Sequence, residues 1–306
     1  MATSTPDFAR YLNVRSAYGP SFTHDGAALA FLSDVSGVAE AWRCALPDGA
    51  PLWPDQLTFS GERVSQVAYA PNDDRLLLAS DANGSELTRL SLLDADGATL
   101  RQIAGAPNAI CRFGGWSPDG ERITYASNER NPRYFDIYER DLRTGETRMF
   151  ALPDATYWPE RYSPDGRSIL IGRYESFTRN QLMLLDCASR DARPLTPEPT
   201  AAHALYASPA WSASGDGLYL LSDAGQDVSQ LAYLDLVSGA MRYLTDGAWD
   251  AEALAVSADG GRLALAVNEQ GYARLEVFDV RAGWEGRQPI TVPDLGPCVL
   301  SELTWS

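Results

Sequence analysis

Apolar and polar positions alternate along most of this chain in short runs, and small polar turns break the runs. A period of two is the strand signal, because successive side chains on a strand point to opposite faces. The turns recur. Ser117-Pro118-Asp119-Gly120 reappears as Ser163-Pro164-Asp165-Gly166, with looser copies at Thr23–Gly26, Ala70–Asp74, Ser214–Gly217 and Ser257–Gly260. Taking Asp25, Asp73, Asp119, Asp165, Asp216 and Asp259 as equivalent gives spacings of 48, 46, 46, 51 and 43 residues.

Each repeat has one grammar. Phe22, Tyr69, Trp116, Tyr162, Trp211 or Val256 precedes the turn. An apolar strand follows, such as Arg122–Ala126 or Ser168–Gly172, and then a polar loop. A third strand comes next, such as Phe135–Asp141 or Gln230–Leu236. A second tight turn (Thr144-Gly145, Ser238-Gly239) leads to a short fourth strand. Asp-Gly supplies the positive φ of a hairpin without a Cβ penalty, and the Asp carboxylate can bond the backbone two residues on. Four short strands in a repeat of this length are the signature of a propeller blade. The fold class predicted is all-β: a β-propeller of four-stranded antiparallel blades, six complete plus the first strand of a seventh. The chain reads as one domain, 1–306, with blades at 15–60, 61–107, 108–153, 154–200, 201–247 and 248–297, and a seventh beginning at 298–306. The aromatic before each turn is expected to pack between blades. The seventh unit stops at Leu303-Thr304-Trp305-Ser306, so a truncated sequence is expected. The edge it leaves unpaired predicts low stability and self-association into an oligomer.

Composition narrows the chemistry. The 306 residues carry 25 basic and 41 acidic side chains, a formal net charge of −16, which opposes binding to nucleic acid or an anionic membrane. All 25 basic residues are Arg, so Schiff-base, P-loop and Ser-Lys chemistry have no lysine to use. Cys44, Cys111, Cys187 and Cys298 stand at least 67 residues apart, far from the spacing of a zinc site or a disulfide scaffold. They read as buried free thiols of a reducing compartment. Met1–Tyr18 lacks the apolar core of a secretory leader, and no run of about 18 apolar residues could span a bilayer. A cytoplasmic location without cofactor or metal is the expectation. No G-x-S-x-G nucleophile elbow occurs. The two histidines, His24 in the first turn and His203 in the loop 194–208, read as turn and loop residues rather than members of a triad. No catalytic residue is assigned. A lyase on a six-bladed scaffold would need clustered His or metal ligands.

Three stretches carry a family resemblance. They are Gln56–Phe59 with Gly61–Val64, Asn128–Arg130 with Phe135–Tyr138, and Asn268–Tyr272 with Leu275, beside the opening segment Phe8–Gly26. In these the chain resembles the N-terminal propeller of the prolyl oligopeptidase family of serine peptidases, in its acylaminoacyl-peptidase and dipeptidyl-aminopeptidase-like branch. The resemblance implies a C-terminal α/β-hydrolase domain, missing from this chain, as partner. It implies short peptides as substrate and a propeller that limits access to the catalytic site. Four loops between second and third strands, 128–133, 174–180, 223–229 and 268–272, then form the substrate-facing rim, with Arg130, Arg133, Glu175 and Arg179 as contacts. TolB-type propellers share the Asp-Gly repeats, so a free-standing interaction or ligand-binding module is the other reading.

Overall fold

In the computed structural model, which describes residues 13–47, 50–198, 204–300 and 302–306, the alternating pattern becomes six four-stranded antiparallel sheets. Blade 1 is β1 (Ala17–Phe22), β2 (Ala28–Ser33), β3 (Glu40–Ala45) and β4 (Asp55–Gln56). Blade 2 is β5 (Val64–Tyr69), β6 (Leu76–Ser80), β7 (Arg89–Leu93) and β8 (Leu100–Ala104). Blade 3 holds β9 (Cys111–Trp116), β10 (Arg122–Ser127), β11 (Asp136–Asp141) and β12 (Thr147–Met149). Blade 4 holds β13 (Thr156–Tyr162), β14 (Ser168–Ser176), β15 (Arg179–Asp186) and β16 (Ala192–Pro194). Blade 5 comprises β17 (Tyr206–Trp211), β18 (Gly217–Ser222), β19 (Gln230–Asp235) and β20 (Met241–Tyr243). Blade 6 comprises β21 (Ala251–Val256), β22 (Arg262–Glu269), β23 (Tyr272–Asp279) and β24 (Gln288–Pro289). The fold class is a six-bladed β-propeller. The chain divides into two compact units, Met1–Gln102 with blades 1 and 2 and Ile103–Ser306 with blades 3 to 6, the division falling within β8.

The core lies between sheets, and the period of two puts it there. On β14, Ile169 and Ile171 join Ile137, Phe150, Tyr157 and Tyr162 in a cluster between blades 3 and 4. Leu170, between them in sequence, joins Tyr206, Leu218 and Leu220 in the next cluster, between blades 4 and 5. On β18 the alternation repeats, with Tyr219 and Leu221 packing toward Leu263 and Leu265 of blade 6. Within the first unit, Tyr69, Leu76 and Leu78 of blade 2 pack on Ala30, Leu32 and Ala41 of blade 1. A second strand buried on both faces contributes to two cores at once, each buried Leu or Ile adding about 1.5–3 kcal/mol. The residue before the turn joins an inter-blade cluster in four blades, as Tyr69, Tyr162, Trp211 and Val256. Tyr162 is buried and its hydroxyl donates to Glu139 on the third strand of blade 3, at 2.8 Å.

The turns differ in detail from a simple Asp-Gly hairpin. In Ser117–Arg122, Ser117 N–H donates to the Arg122 carbonyl and Gly120 N–H to the Ser117 carbonyl, both at 2.9 Å. Only Gly120 has positive φ, at 70°, so the turn is a type I turn closed by a left-handed glycine inside a longer loop. Ser117 Oγ donates to Asp119 Oδ1 at 2.5 Å, which in turn accepts Glu121 N–H at 3.0 Å. This geometry corrects two members of the repeat. Gly215 takes the glycine slot of blade 5 at φ 73°, so Ser214, not Asp216, stands where Asp119 does. In blade 2, Ala70 N–H donates to Arg75 O as Ser117 does to Arg122, which places Asn72, not Asp73, in the Asp slot. With those changes the spacing of the slot narrows to between 45 and 49 residues.

Two strand pairs run further than expected. The β14–β15 ladder continues to Ser176↔Arg179 and the β22–β23 ladder to Glu269↔Tyr272. The expected loops 174–180 and 268–272 are therefore mostly hairpin. Conversely, Cys298–Ser306, read as the opening strand of a seventh blade, is in no strand among its described residues. An inner strand is defined by a ladder to a second strand, and no such partner is present there. The first strand of every blade carries a register break. In blade 3 it falls at Gly114 and in blade 4 at Glu160.

Two outcomes are expected. A Cβ on Gly114 would lie 2.2 Å from Pro159 Cγ and 2.9 Å from its carbonyl oxygen, both rigid. Gly114→Ala should lower unfolding free energy by about 1–3 kcal/mol in denaturant titrations. Gly115→Ala, whose Cβ would meet nothing nearer than 3.9 Å, should stay within about 0.5 kcal/mol. Turn carboxylates Asp25, Asp165 and Asp259 are held below the usual range by the hydroxyl and backbone N–H groups donating to them. A carboxylate with lowered folded pKa stabilises the fold above its unfolded pKa and stops doing so as pH falls through the folded value. Thermal stability should therefore fall steadily on acidification below about pH 4, and a melting temperature flat to pH 2 would remove these turns from the account.

Candidate functional site

All four rim residues lie in the second unit, on blades 3 and 4. Arg130 is tied down. Its Nε and Nη2 donate to the Asp136 carboxylate at 2.7 and 2.9 Å, and Nη2 also reaches Asp154 Oδ1 at 2.8 Å. Asp136 is 1% exposed, so this fork clips the blade 3 loop to the start of blade 4 around a buried carboxylate. Arg133 is exposed, and its backbone N–H caps Asn131 Oδ1 at 3.1 Å. Glu175 and Arg179 face each other across the β14–β15 hairpin at 3.8 Å, with Arg173 a further 3.8 Å from Glu175. The polar residue opening a rim loop is also structural in two blades. Asn128 Oδ1 accepts Ile110 N–H and Asp223 Oδ1 accepts Leu205 N–H, both at 2.7 Å, fastening each loop to its own first strand. His24 is exposed and 3.5 Å from Asp74, while His203 lies outside the described residues. Cys44, Cys111 and Cys187 are buried free thiols.

The more distinctive chemistry lies inward of the rim, on the first strands β9 and β13. Arg112 sits over the Trp158 ring at 4.3 Å and over Phe135 at 5.5 Å, and the two rings are 4.6 Å apart. Trp158 continues edge-on to Tyr174 at 6.3 Å. Tyr174 donates its hydroxyl to Glu160 Oε1 at 3.2 Å. Glu160 is the residue skipped by the ladder, which pairs Pro159 with Ile171 and Arg161 with Leu170. A bulge re-aims the side chain it frees. Here the carboxylate turns back over Gly172, whose missing Cβ would stand 3.2 Å from Glu160 Oε1 and 2.6 Å from the Tyr174 ring.

The two neighbours at the bulge diverge. Glu160 is partly covered and Arg161 is exposed. Partial burial raises the Glu160 carboxyl above its ordinary value, opposed by the Tyr174 hydrogen bond. Among the described residues no carboxylate is paired with the Arg161 side chain. Sequence reasoning passed over this cluster. Its signal was present: where the other first strands place Gly114-Gly115, Pro209-Ala210 or Leu254-Ala255, blade 4 places Glu160-Arg161. A cleft of about 580 Å³ in the first unit, along blade 2 beside Phe59, Leu78, Arg89 and Leu100, holds none of these groups.

No family model matches the chain. Dipeptidyl aminopeptidase BIII of Pseudoxanthomonas mexicana is 24% identical over 234 residues, 70% of this chain and 31% of that protein. The Tol-Pal system protein TolB of Rickettsia massiliae (strain Mtu5) is 28% identical over 103 residues, 32% of this chain and 22% of the relative. Among solved structures, a puromycin hydrolase superposes with TM-score 0.71 at 16% identity, over 95% of this chain and 48% of its own. A prolyl endopeptidase gives 0.71 at 16%, over 92% and 43%. It shares its fold with the propellers of prolyl-oligopeptidase-type serine peptidases. TolB from Acinetobacter baumannii superposes at 0.58 and 17%, over 87% of this chain and 61% of its own. The chain spans about a third of the dipeptidyl aminopeptidase and under half of either peptidase structure.

Glu160→Gln tests the bulge site. A carboxyl with raised folded pKa weakens the fold at pH above that value, and the effect vanishes below its unfolded pKa, about 4.3. The variant keeps the acceptor for Tyr174. It should melt above the parent at pH 7.5, with the difference closing by pH 4. A parent that melts higher at pH 7.5 would show the carboxylate to be favourably charged instead.

Proposed function

We propose that this chain is the non-catalytic propeller of a serine peptidase acting on short peptides, serving to restrict access to the α/β-hydrolase domain that carries the catalytic groups. The observation that carries this reading is the match to a dipeptidyl aminopeptidase across 70% of the chain, read with the shared peptidase fold over nearly its whole length. The rim residues support it physically. Arg130, locked between Asp136 and Asp154, holds the blade 3 loop in place, while Arg133, Glu175 and Arg179 offer exposed or half-exposed charge to a peptide backbone or terminus. A size filter needs rigid walls, and clipped loops supply them. The cytoplasm is the compartment that suits free thiols.

A second reading, a TolB-like interaction module, draws on the TolB matches, which cover 32% of the chain in sequence and superpose less well. The reading frame beyond Ser306 separates the two. A downstream G-x-S-x-G on a strand-to-helix turn is expected, and a frame that closes without one overturns the peptidase assignment. The purified 306-residue chain should hydrolyse no aminoacyl chromogenic substrate. Turnover resisting repurification would place a catalytic group within it.

A further inference from the structure

The linkers between blades carry a second repeat. In three blades the fourth strand is followed by Leu-Thr, as Leu57-Thr58, Leu195-Thr196 and Leu244-Thr245. Each Thr hydroxyl accepts a third-strand N–H of its own blade, from Ala41, Leu182 and Leu231, at 2.9, 3.0 and 3.1 Å. In blade 5 the linker is held once more, by Gln230 Nε2 donating to the Gly247 carbonyl at 2.9 Å, before it enters β21. A cleft of about 300 Å³ lies between this linker and the face of blade 6 that carries Val267 and Phe278. Leu244, Val267 and Trp249 give it apolar walls, and Trp249 is 39% exposed. Two cations line it. Arg274 is spent on Glu269 and Glu276. Arg287 is not. It is half-buried, its guanidinium lies 4.2 Å over the Trp284 ring and 5.8 Å from Phe278, and its Nη1 donates to the Trp284 carbonyl at 3.1 Å. No carboxylate among the described residues lies within 4.0 Å of it, whereas Arg242, Arg274 and Arg281 on the same two blades each have one. The indole and the carbonyl fix the plane of the guanidinium, so little freedom is lost when its remaining N–H groups are used.

A fixed guanidinium beside apolar walls selects a ligand with both features. A carboxylate matches the planar fork, and a ring matches the indole of Trp249. Asp246 and Glu276 also line the cleft, and the chain carries a net charge of −16, so a single negative charge is tolerated better than two. The volume suits one ring with a short chain, at the small end of ligand sites. We propose that the cleft between blades 5 and 6 binds a small aromatic monocarboxylate, with the carboxylate on Arg287 and the ring against Trp249. This stands independently of the peptidase reading above.

The test is calorimetric titration of the 306-residue chain with phenylacetate, phenylacetamide and acetate. Phenylacetate should bind about tenfold more tightly than its amide, the size of one charge-assisted contact, and more tightly than acetate, which lacks the ring. Arg287→Gln, with its melting temperature checked against the parent, should erase the preference for acid over amide and leave the amide unchanged. Trp249→Ala removes an exposed side chain and should weaken acid and amide alike; it decides the matter should Arg287→Gln fail to fold. Equal affinity for acid and amide, an acid preference that survives in Arg287→Gln, acetate binding as tightly as phenylacetate, or unaltered binding in Trp249→Ala each overturns the proposal. Binding of none of the three overturns it as well, and leaves the peptidase reading standing.

Discussion

Every blade of this protein depends on one constraint: its sheet is apolar on both faces and cannot be buried alone. Ile169 and Ile171 point to one neighbour and Leu170 to the other, so a single strand contributes to two cores. Stability is then shared between adjacent sheets, in the manner of repeat architectures. The same constraint explains the large apolar residue before the turn in blades 2, 4, 5 and 6. Tyr162 completes the core between blades 3 and 4 and also satisfies the carboxylate of Glu139, itself 3% exposed. A buried carboxylate needs such partners, and Arg122 and Arg148 supply the rest.

Packing sheets this closely leaves little freedom to their first strands, and each carries a register break. In blade 3 the break falls on Gly114, where only a residue without Cβ fits against Pro159. In blade 4 it falls on Glu160, and chemistry appears where blade 3 has none. The bulge releases Glu160 from the ladder, and its carboxylate accepts the Tyr174 hydroxyl. Glu160 is thereby tied to a tyrosine, and Arg161 has no carboxylate partner among the described residues. The rim residues show the opposite economy: Arg130 is consumed by Asp136 and Asp154, and its charge organises a loop.

The likeness to peptidase propellers and to TolB alike shows how a scaffold of this kind separates fold from task. The blades require alternation, turn chemistry and a small set of inter-blade contacts, and those requirements hold whatever is bound. Side chains at bulges and hairpin ends are released from them, and functional differences between propellers have room to arise there.

The sequence by itself determined the blade. Alternation, the repeated turn and the aromatic before it are local, and local physics decided strand order, turn position and which residues face a neighbour. Arg130, Arg133, Glu175 and Arg179 were legible as loop or hairpin-end charges for the same reason. Local reading also misplaced Asp73 and Asp216 by a residue or two, because Ser214 and Asn72 fill the turn slot without matching its letters. Only the tertiary structure decided which charges are spent and which are free. Arg130 and Arg161 look alike in a linear sequence. What separates them is Asp154, a carboxylate 24 residues away at the start of the next blade, which reaches the first, while no carboxylate among the described residues is paired with the second. That contact arises only when sheets, not strands, are brought together.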